Sequence, residues 1–211
     1  QEDYPSASQS EMRQWLKKRE DGTNFIYCWP IDGHNFFGQW EGHGNRVKDV
    51  HVDDYAGTVI NYVTQDGIQG SDARSLAKDG YHFYKSLQQT MLSRELSTYA
   101  TRSSESRRLL TYMSTSEAPD ELFFPTLTQL DERYASRATC DDSRHFSFWV
   151  RPGGSWHPEY LTLDHLPMIM KATQFYIRKV EEDQGSKPLL GVLDSLRNGN
   201  PIDDSLPVLK E

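Results

Sequence analysis

The sequence predicts a mixed α/β fold, and three observations carry the prediction. Segments with strand-like and helix-like apolar spacing alternate along the chain, which favours packed layers of both element types. At 211 residues, 36% hydrophobic and 12% aromatic, the chain can bury a core without metals or disulfide staples and is too aromatic to be disordered. Neither an internal repeat nor a low-complexity tract is present.

The elements follow in order. Residues 8 to 18 read as a helix, because Ser8 and Glu11 have capping-box spacing and Met12, Trp15 and Leu16 form an apolar stripe. Asn24 to Trp29 reads as a strand ending at Pro30. From Asp32 to Gly44 the run DGHNFFGQWEGHG suits a loop carrying flat contact groups. Arg46 to Val52 alternates like a short strand. Asp66 to Gly80 is rich in Gly, Asp and Ser, which predicts a loop and a half-domain boundary. Gln88 to Leu92 is expected as a strand and Ser93 to about Tyr99 as a short helix. A charged connection then leads to the apolar segment Leu109 to Met113. Pro119 to Leu130 is expected as a helix and Phe146 to Val150 as a strand. RPGG (residues 151 to 154) is expected as a turn, and Asp164 as the cap of a helix running toward Ala172. Residues 1–197 thus read as one domain, followed by a polar tail, 198–211, loosely held.

Composition excludes some functions. A formal net charge of −8 with scattered basic residues argues against nucleic acid as a partner. Cys28 and Cys140 permit one bridge but announce neither a disulfide framework nor a zinc site. No apolar run approaches the ~20 residues that span a bilayer, and the first residues lack the pattern of a signal peptide. In DVHVDD (Asp49 to Asp54), strand alternation would put Asp49, His51 and Asp53 on one face; oxygen-rich strand edges are common, so no metal site is assigned.

The most informative window is STSEAPDELFFPTL, Ser114 to Leu127. Ser116 can cap a helix whose first turn carries Pro119, Asp120 and Glu121, and carboxylates there are stabilised by the helix dipole. Spacing alone explains the acids as helix stabilisation. However, the window resembles the PDE-x-FF segment of the xylosyltransferase and core-2 or I-branching N-acetylglucosaminyltransferase family, glycosyltransferase family 14. Asp3-Tyr4-Pro5 is similar to that family's DFP or DYP, and Met91-Leu92-Ser93-Arg94-Glu95 to its LSR step from strand to helix. Phe148-Trp149, His157-Pro158, Leu161-Thr162-Leu163-Asp164, Tyr176-Ile177-Arg178-Lys179-Val180 and Leu193-Asp194 continue the resemblance in order.

The resemblance implies the C-terminal part of a mixed-sheet, A-type glycosyltransferase fold, lacking the N-terminal nucleotide-binding half that the family usually carries before its DYP segment. It implies an inverting transfer of xylose or N-acetylglucosamine from a UDP-sugar to a hydroxyl of a protein or glycan acceptor, with Glu121 as general base. The HP-x-x-LTLD pattern tilts the donor toward xylose. Arg178 and Lys179 match the family's basic pair and would meet the charge on the departing diphosphate, making a divalent metal dispensable and leaving no firm cofactor. Arg144 or His145 stands where the family has a further basic position. Asp120 neighbours the base and is expected at the substrate. Trp29, Trp40, Phe36 and Phe37 could wall the acceptor, core packing being the competing role and the favoured one for Trp29. The implied location is the Golgi or endoplasmic reticulum lumen, with membrane attachment through a segment outside this chain.

Three departures stand against the family pattern. Gln89 replaces an aromatic residue before the LSR step, the loop from Trp29 to Trp40 lacks basic residues, and Pro125 interrupts the Glu121 helix. Pro125 has no N–H to donate to the Glu121 carbonyl. A non-catalytic carbohydrate-binding or scaffolding relative of the same fold is the alternative function.

Overall fold

The computed structural model describes residues 3–19, 21–30, 50–53, 58–60, 73–74, 82–113, 119–150, 157–201 and 206, and it is mixed α/β. In chain order the elements are β1 (Asp3–Pro5), α1 (Gln9–Leu16), β2 (Asn24–Tyr27), β3 (Trp29–Pro30), β4 (Val50–Asp53), β5 (Thr58–Ile60), β6 (Ala73–Arg74) and β7 (Tyr84–Lys85). They continue with α2 (Arg94–Arg102), α3 (Ser104–Met113), α4 (Pro119–Gln129), α5 (Glu132–Ala135), β8 (Ala138–Cys140), β9 (His145–Ser147), α6 (Leu166–Lys171), β10 (Tyr176–Arg178) and α7 (Lys187–Arg197). The chain divides into two units, one made of Gln1–Glu20 with Arg144–Glu211 and the other of Asp21–Ser143.

The first unit joins both ends of the chain. β10 pairs antiparallel with β1 and parallel with β9. Helix α1 forms as expected: Ser8 Oγ accepts from the Glu11 amide at 3.2 Å, and Glu11 Oε2 accepts from the Ser8 amide at 2.7 Å. Trp15 on α1 meets Phe175 edge to face at 5.1 Å. The core is apolar, built from Leu161, Leu166, Ile169, Ile177, Val180, Leu189 and Leu193. Leu206, in the tail read as loosely held, packs against it.

The second unit is tied by polar and covalent links between distant segments. β2 and β8 run parallel, and a disulfide joins Cys28, just past β2, to Cys140, the last residue of β8. Gln129 Nε2 donates to both sulfurs, at 3.3 and 3.4 Å. Asn24, fully buried, accepts from the Ser93 amide at 2.8 Å, and Ser93 Oγ caps α2 by accepting from Leu96 N at 3.1 Å. Phe83, Leu109, Met113, Leu122, Phe123 and Leu127 form the apolar core. β4 pairs with β5 and β6 in a separate three-stranded sheet.

Several expectations are corrected. The boundary expected between Asp66 and Gly80 lies instead at 20/21 and 143/144, and β6 forms within that predicted loop. Gln88 to Leu92 is not a strand; only Met91 bridges to Phe25, and the paired strand comes earlier, at β7. The charged connection before Leu109 is already helical, as the first turns of α3, because Ser103 Oγ caps it by accepting from Ser106 N at 3.0 Å. The strand expected over Phe146 to Val150 ends at Ser147, where pairing with β10 stops. Asp164 is no cap: a 3-10 turn, Leu163–His165, precedes α6, and His165 Nδ1 accepts from Thr162 N at 3.0 Å. Asp32 to Gly44, Asp49, Ser116 and the RPGG turn lie outside the described residues, as do Phe36, Phe37 and Trp40.

Candidate active site

The site begins with what Pro125 removes. In an uninterrupted helix the Glu121 carbonyl would accept from the amide four residues on, and Pro125 has none. The Ser86 amide takes its place, donating to Glu121 O at 2.8 Å. One turn further, Thr126 Oγ1 accepts from Tyr84 N at 3.0 Å and donates to Tyr84 O at 3.3 Å. The proline thus turns one side of α4 into an edge against which residues 84 to 86 hydrogen-bond. Thr126 is fully buried there, with its hydroxyl satisfied.

That docking places Lys85 on Glu121. Lys85 Nζ lies 3.3 Å from Glu121 Oε2, with the two side chains only 10% and 21% exposed. Asp120, the preceding residue, is exposed and accepts from Gln88 Nε2 at 2.6 Å. Both acids on the first turn of α4 are therefore held from the 85–88 segment, and they diverge, as neighbours on a helix must.

Trp29 faces the same segment. β3 pairs antiparallel with β7, Trp29 opposite Lys85 and Pro30 opposite Tyr84, so the Trp29 and Lys85 side chains project from the same side of the ladder. Trp29 is 42% exposed, which corrects the expectation that it belongs to the core. Its ring stacks on Tyr27 at 4.6 Å with 21° between planes. The Tyr27 amide donates to Ser86 Oγ at 3.3 Å, fastening the aromatic pair to the strand that carries Lys85. Burial, together with the charges of Asp142 and Asp141, pushes the Tyr27 phenol up, so it is neutral at pH 7. A carboxylate, a cation on it and an exposed aromatic face thus share one small region. Such a set can take a proton from a hydroxyl while an apolar sugar face rests on the indole.

Trp40 lies outside the described residues, and Arg144, His145, Arg178 and Lys179 belong to the other unit. Arg178 Nη1 lies 3.3 Å from Asp3 Oδ2, its register partner across β1 and β10. Lys179 Nζ sits 4.4 Å over the Tyr160 ring. His145 stacks on Tyr176 at 4.9 Å. Arg144 is buried, its guanidinium 4.4 Å over Trp15 and 4.8 Å over Phe175. The structure gathers Glu121, Asp120 and Trp29 in one unit and Arg178, Lys179 and His145 in the other.

Sequence reasoning missed Lys85, Ser86 and Thr126. The signal was available only in part: a proline four residues after an acid marks an unclaimed carbonyl, but nothing local says which strand claims it.

Comparison with known proteins adds one finding. The family profile described as Core-2/I-Branching enzyme matches residues 1–176. That stretch contains Trp29, Lys85, Asp120, Glu121 and His145 and ends two residues before Arg178. No curated protein matches the chain.

Proposed function

The chain belongs to the Core-2/I-Branching enzyme family, whose members are glycosyltransferases, and from that premise we propose that it is an inverting transferase in which Glu121 is the general base. The observation that carries the proposal is the double hold on Glu121: its carbonyl on the Ser86 amide at 2.8 Å and its carboxylate on Lys85 at 3.3 Å. A base that is fixed before substrate arrives has less freedom to lose in the transition state.

In the proposed reaction the acceptor oxygen forms a bond to the anomeric carbon of the donor sugar as the bond from that carbon to the diphosphate breaks on the opposite face. The acceptor proton passes to Glu121. Lys85 acts as a positioning residue on the far carboxylate oxygen. The acceptor's apolar sugar face lies on Trp29, and Asp120 contributes at the rim. The donor is a UDP-sugar carrying xylose or N-acetylglucosamine, and the acceptor a protein or glycan hydroxyl. Diphosphate charge is assigned to Arg178 and Lys179 on family resemblance, with His145 beside them and no divalent metal required. The mixed α/β architecture supports an A-type glycosyltransferase fold.

The Cys28–Cys140 bridge supports an oxidising compartment, the Golgi or endoplasmic reticulum lumen. Among the described residues no helix is long and apolar enough to cross a membrane; membrane attachment through a segment outside this chain is proposed on the family resemblance alone.

The test is transfer from UDP-xylose and UDP-N-acetylglucosamine, read by mass spectrometry on wild type and Glu121→Gln. Loss of about 10²-fold or more in the variant is expected. Undiminished transfer by the variant would sink the assignment of the base. The exposed Trp29–Tyr27 pair favours a second reading, carbohydrate binding without turnover. Retained sugar binding with no transfer by either form would select it.

A further inference from the structure

A cleft of about 720 Å³ opens between α2 and α5, within the 21–143 unit, and the glycosyl-transfer reading makes no use of it. Arg94, Arg102, Arg133 and Arg137 line it together with Tyr99 and Tyr134. Glu95 lines it too and Arg133 is paired with Asp131, so four arginines against two acids leave a local charge of +2 in a chain of formal charge −8. The cluster therefore runs counter to the rest of the protein.

Two of the arginines are fixed and two are available. Arg137 Nη1 lies 3.0 Å from Glu95 Oε2. It also crosses Gly22, where a Cβ would stand 2.7 Å from its nitrogen. Arg133 Nε donates to the Asp131 carboxylate at 2.9 and 3.1 Å. Arg94 and Arg102 are exposed, and neither has an ion-pair partner among the described residues. They stand eight residues apart on α2, about 12 Å along its axis. Arg94 is also the first residue of that helix, where the dipole disfavours a cation. Helix stability does not explain it, and a residue that breaks a local rule is expected where a ligand compensates.

Between the arginines the Tyr99 and Tyr134 rings sit 5.0 Å apart, tilted 35°. Tyr134 is buried and Tyr99 half-buried, so they form a floor rather than mobile arms. Guanidinium forks over an aromatic floor match a ligand that combines planar anionic groups with flat apolar faces. A pyranose ring bearing sulfate or carboxylate has both. The volume lies in the roughly 300–1,000 Å³ range of small-ligand sites. The overall negative charge repels a long polyanion such as nucleic acid.

We propose that this cleft binds an anionic oligosaccharide, its sulfate or carboxylate groups paired with Arg94 and Arg102 and a sugar ring resting on Tyr99 and Tyr134. The site does not depend on Glu121 being a base, and it would stand if no transfer activity were found.

The experiment is calorimetric titration of the full chain, at about 0.15 M salt so that surface charge is screened beyond a Debye length. The probes are sulfated maltohexaose, hexagalacturonate, neutral maltohexaose and hexaglutamate. At least one of the charged sugars should bind at least about tenfold more tightly than neutral maltohexaose, the value of one charge-assisted contact. Which of them binds more tightly identifies sulfate or carboxylate as the preferred group. Arg94→Gln with Arg102→Gln should lose at least that factor, while Arg13→Gln, on α1, should lose nothing. Tyr99→Leu should weaken sugar binding severalfold. Hexaglutamate binding as tightly as the charged sugars would overturn the glycan in favour of an acidic peptide. Binding that survives the double substitution, or equal binding of the neutral sugar, would overturn the site. So would no binding of either charged sugar. Both arginines are exposed, so the variants keep the wild-type fold, and an unchanged thermal midpoint verifies it.

Discussion

The two units solve the same problem, joining chain segments far apart in sequence, by different means. The unit that carries Arg178 closes the ends of the chain on one another, with β1 against β10 and a continuous apolar cluster from Leu161 to Leu193. Tyr4 also hydrogen-bonds Asp194 across 190 positions. The unit that carries Glu121 adds directional ties to its core: a disulfide, Ser86 on the Glu121 carbonyl, Thr126 on Tyr84, and Asn24 on Ser93. Apolar burial is non-directional and tolerates adjustment, whereas a hydrogen-bonded or covalent tie fixes orientation. Both units have hydrogen-bonded ties, Ser186 on the Leu161 carbonyl being one in the first, but among the described residues the unit with the candidate base is the one that adds a covalent tie.

The largest expected effect breaks that contrast at its covalent link. Cys28→Ala with Cys140→Ala removes a bridge spanning 112 residues and should cost about 2–4 kcal/mol. Amide exchange should rise across β2, β3 and β8 and stay unchanged around Ile177 and Leu193. Equal loss of protection in both units would show that they unfold as one, and the contrast would fall.

A smaller change sharpens it at the site. Lys85→Met keeps the length of the side chain and removes the ammonium from Glu121. We expect about 1.5–3 kcal/mol of lost stability, the usual value of a charge-assisted contact at a mostly buried group. Transfer should fall in kcat more than in KM, because the base is misplaced while the Trp29 platform remains. If Lys85 matters only through Glu121, adding Lys85→Met to Glu121→Gln should cost little further activity. Additive losses would assign Lys85 a contact of its own with substrate.

How much was legible follows the same division. Helix α1 could be read because its cap is local, Ser8 with Glu11 three residues on. The Glu121 helix could be read from Pro119, the acids and the apolar run behind them, and its family from the surrounding motifs. Lys85 could not, because its role depends on a partner 36 positions away and on a proline whose effect is to leave a carbonyl for another strand. The strand expected over Gln88 to Leu92 failed for that reason. Thr126 and the Glu121 carbonyl bind the chain a few residues earlier, at Tyr84 and Ser86, and Gln88 is left to reach Asp120. Trp29 was misjudged because an aromatic in a short strand reads as core until its pairing partner is known, and here the partner is a lysine at the site.

The smallest effect isolates the local kind of tie. The Ser8 hydroxyl, and then the Ser8 amide, hold the Glu11 carboxyl below its ordinary value of 4.5, partly offset by burial. A carboxyl lowered in the folded state stabilises that state fully above its unfolded value, and the contribution is lost as pH falls through the lower folded value. Acidification from pH 6 to below 4 should therefore fray the first turn of α1, seen as faster exchange of the Glu11 and Met12 amides, before the Trp15–Phe175 contact is disturbed. Ser8→Ala should weaken the pH dependence, the residue-8 amide still donating to Glu11, and lower stability by about 0.5–2 kcal/mol at neutral pH. The same variant should leave the unit containing Glu121 untouched, since nothing in the cap reaches beyond α1. A shift in transfer activity on Ser8→Ala would mean that α1 is coupled to the site, and the separation of local from long-range ties would not hold.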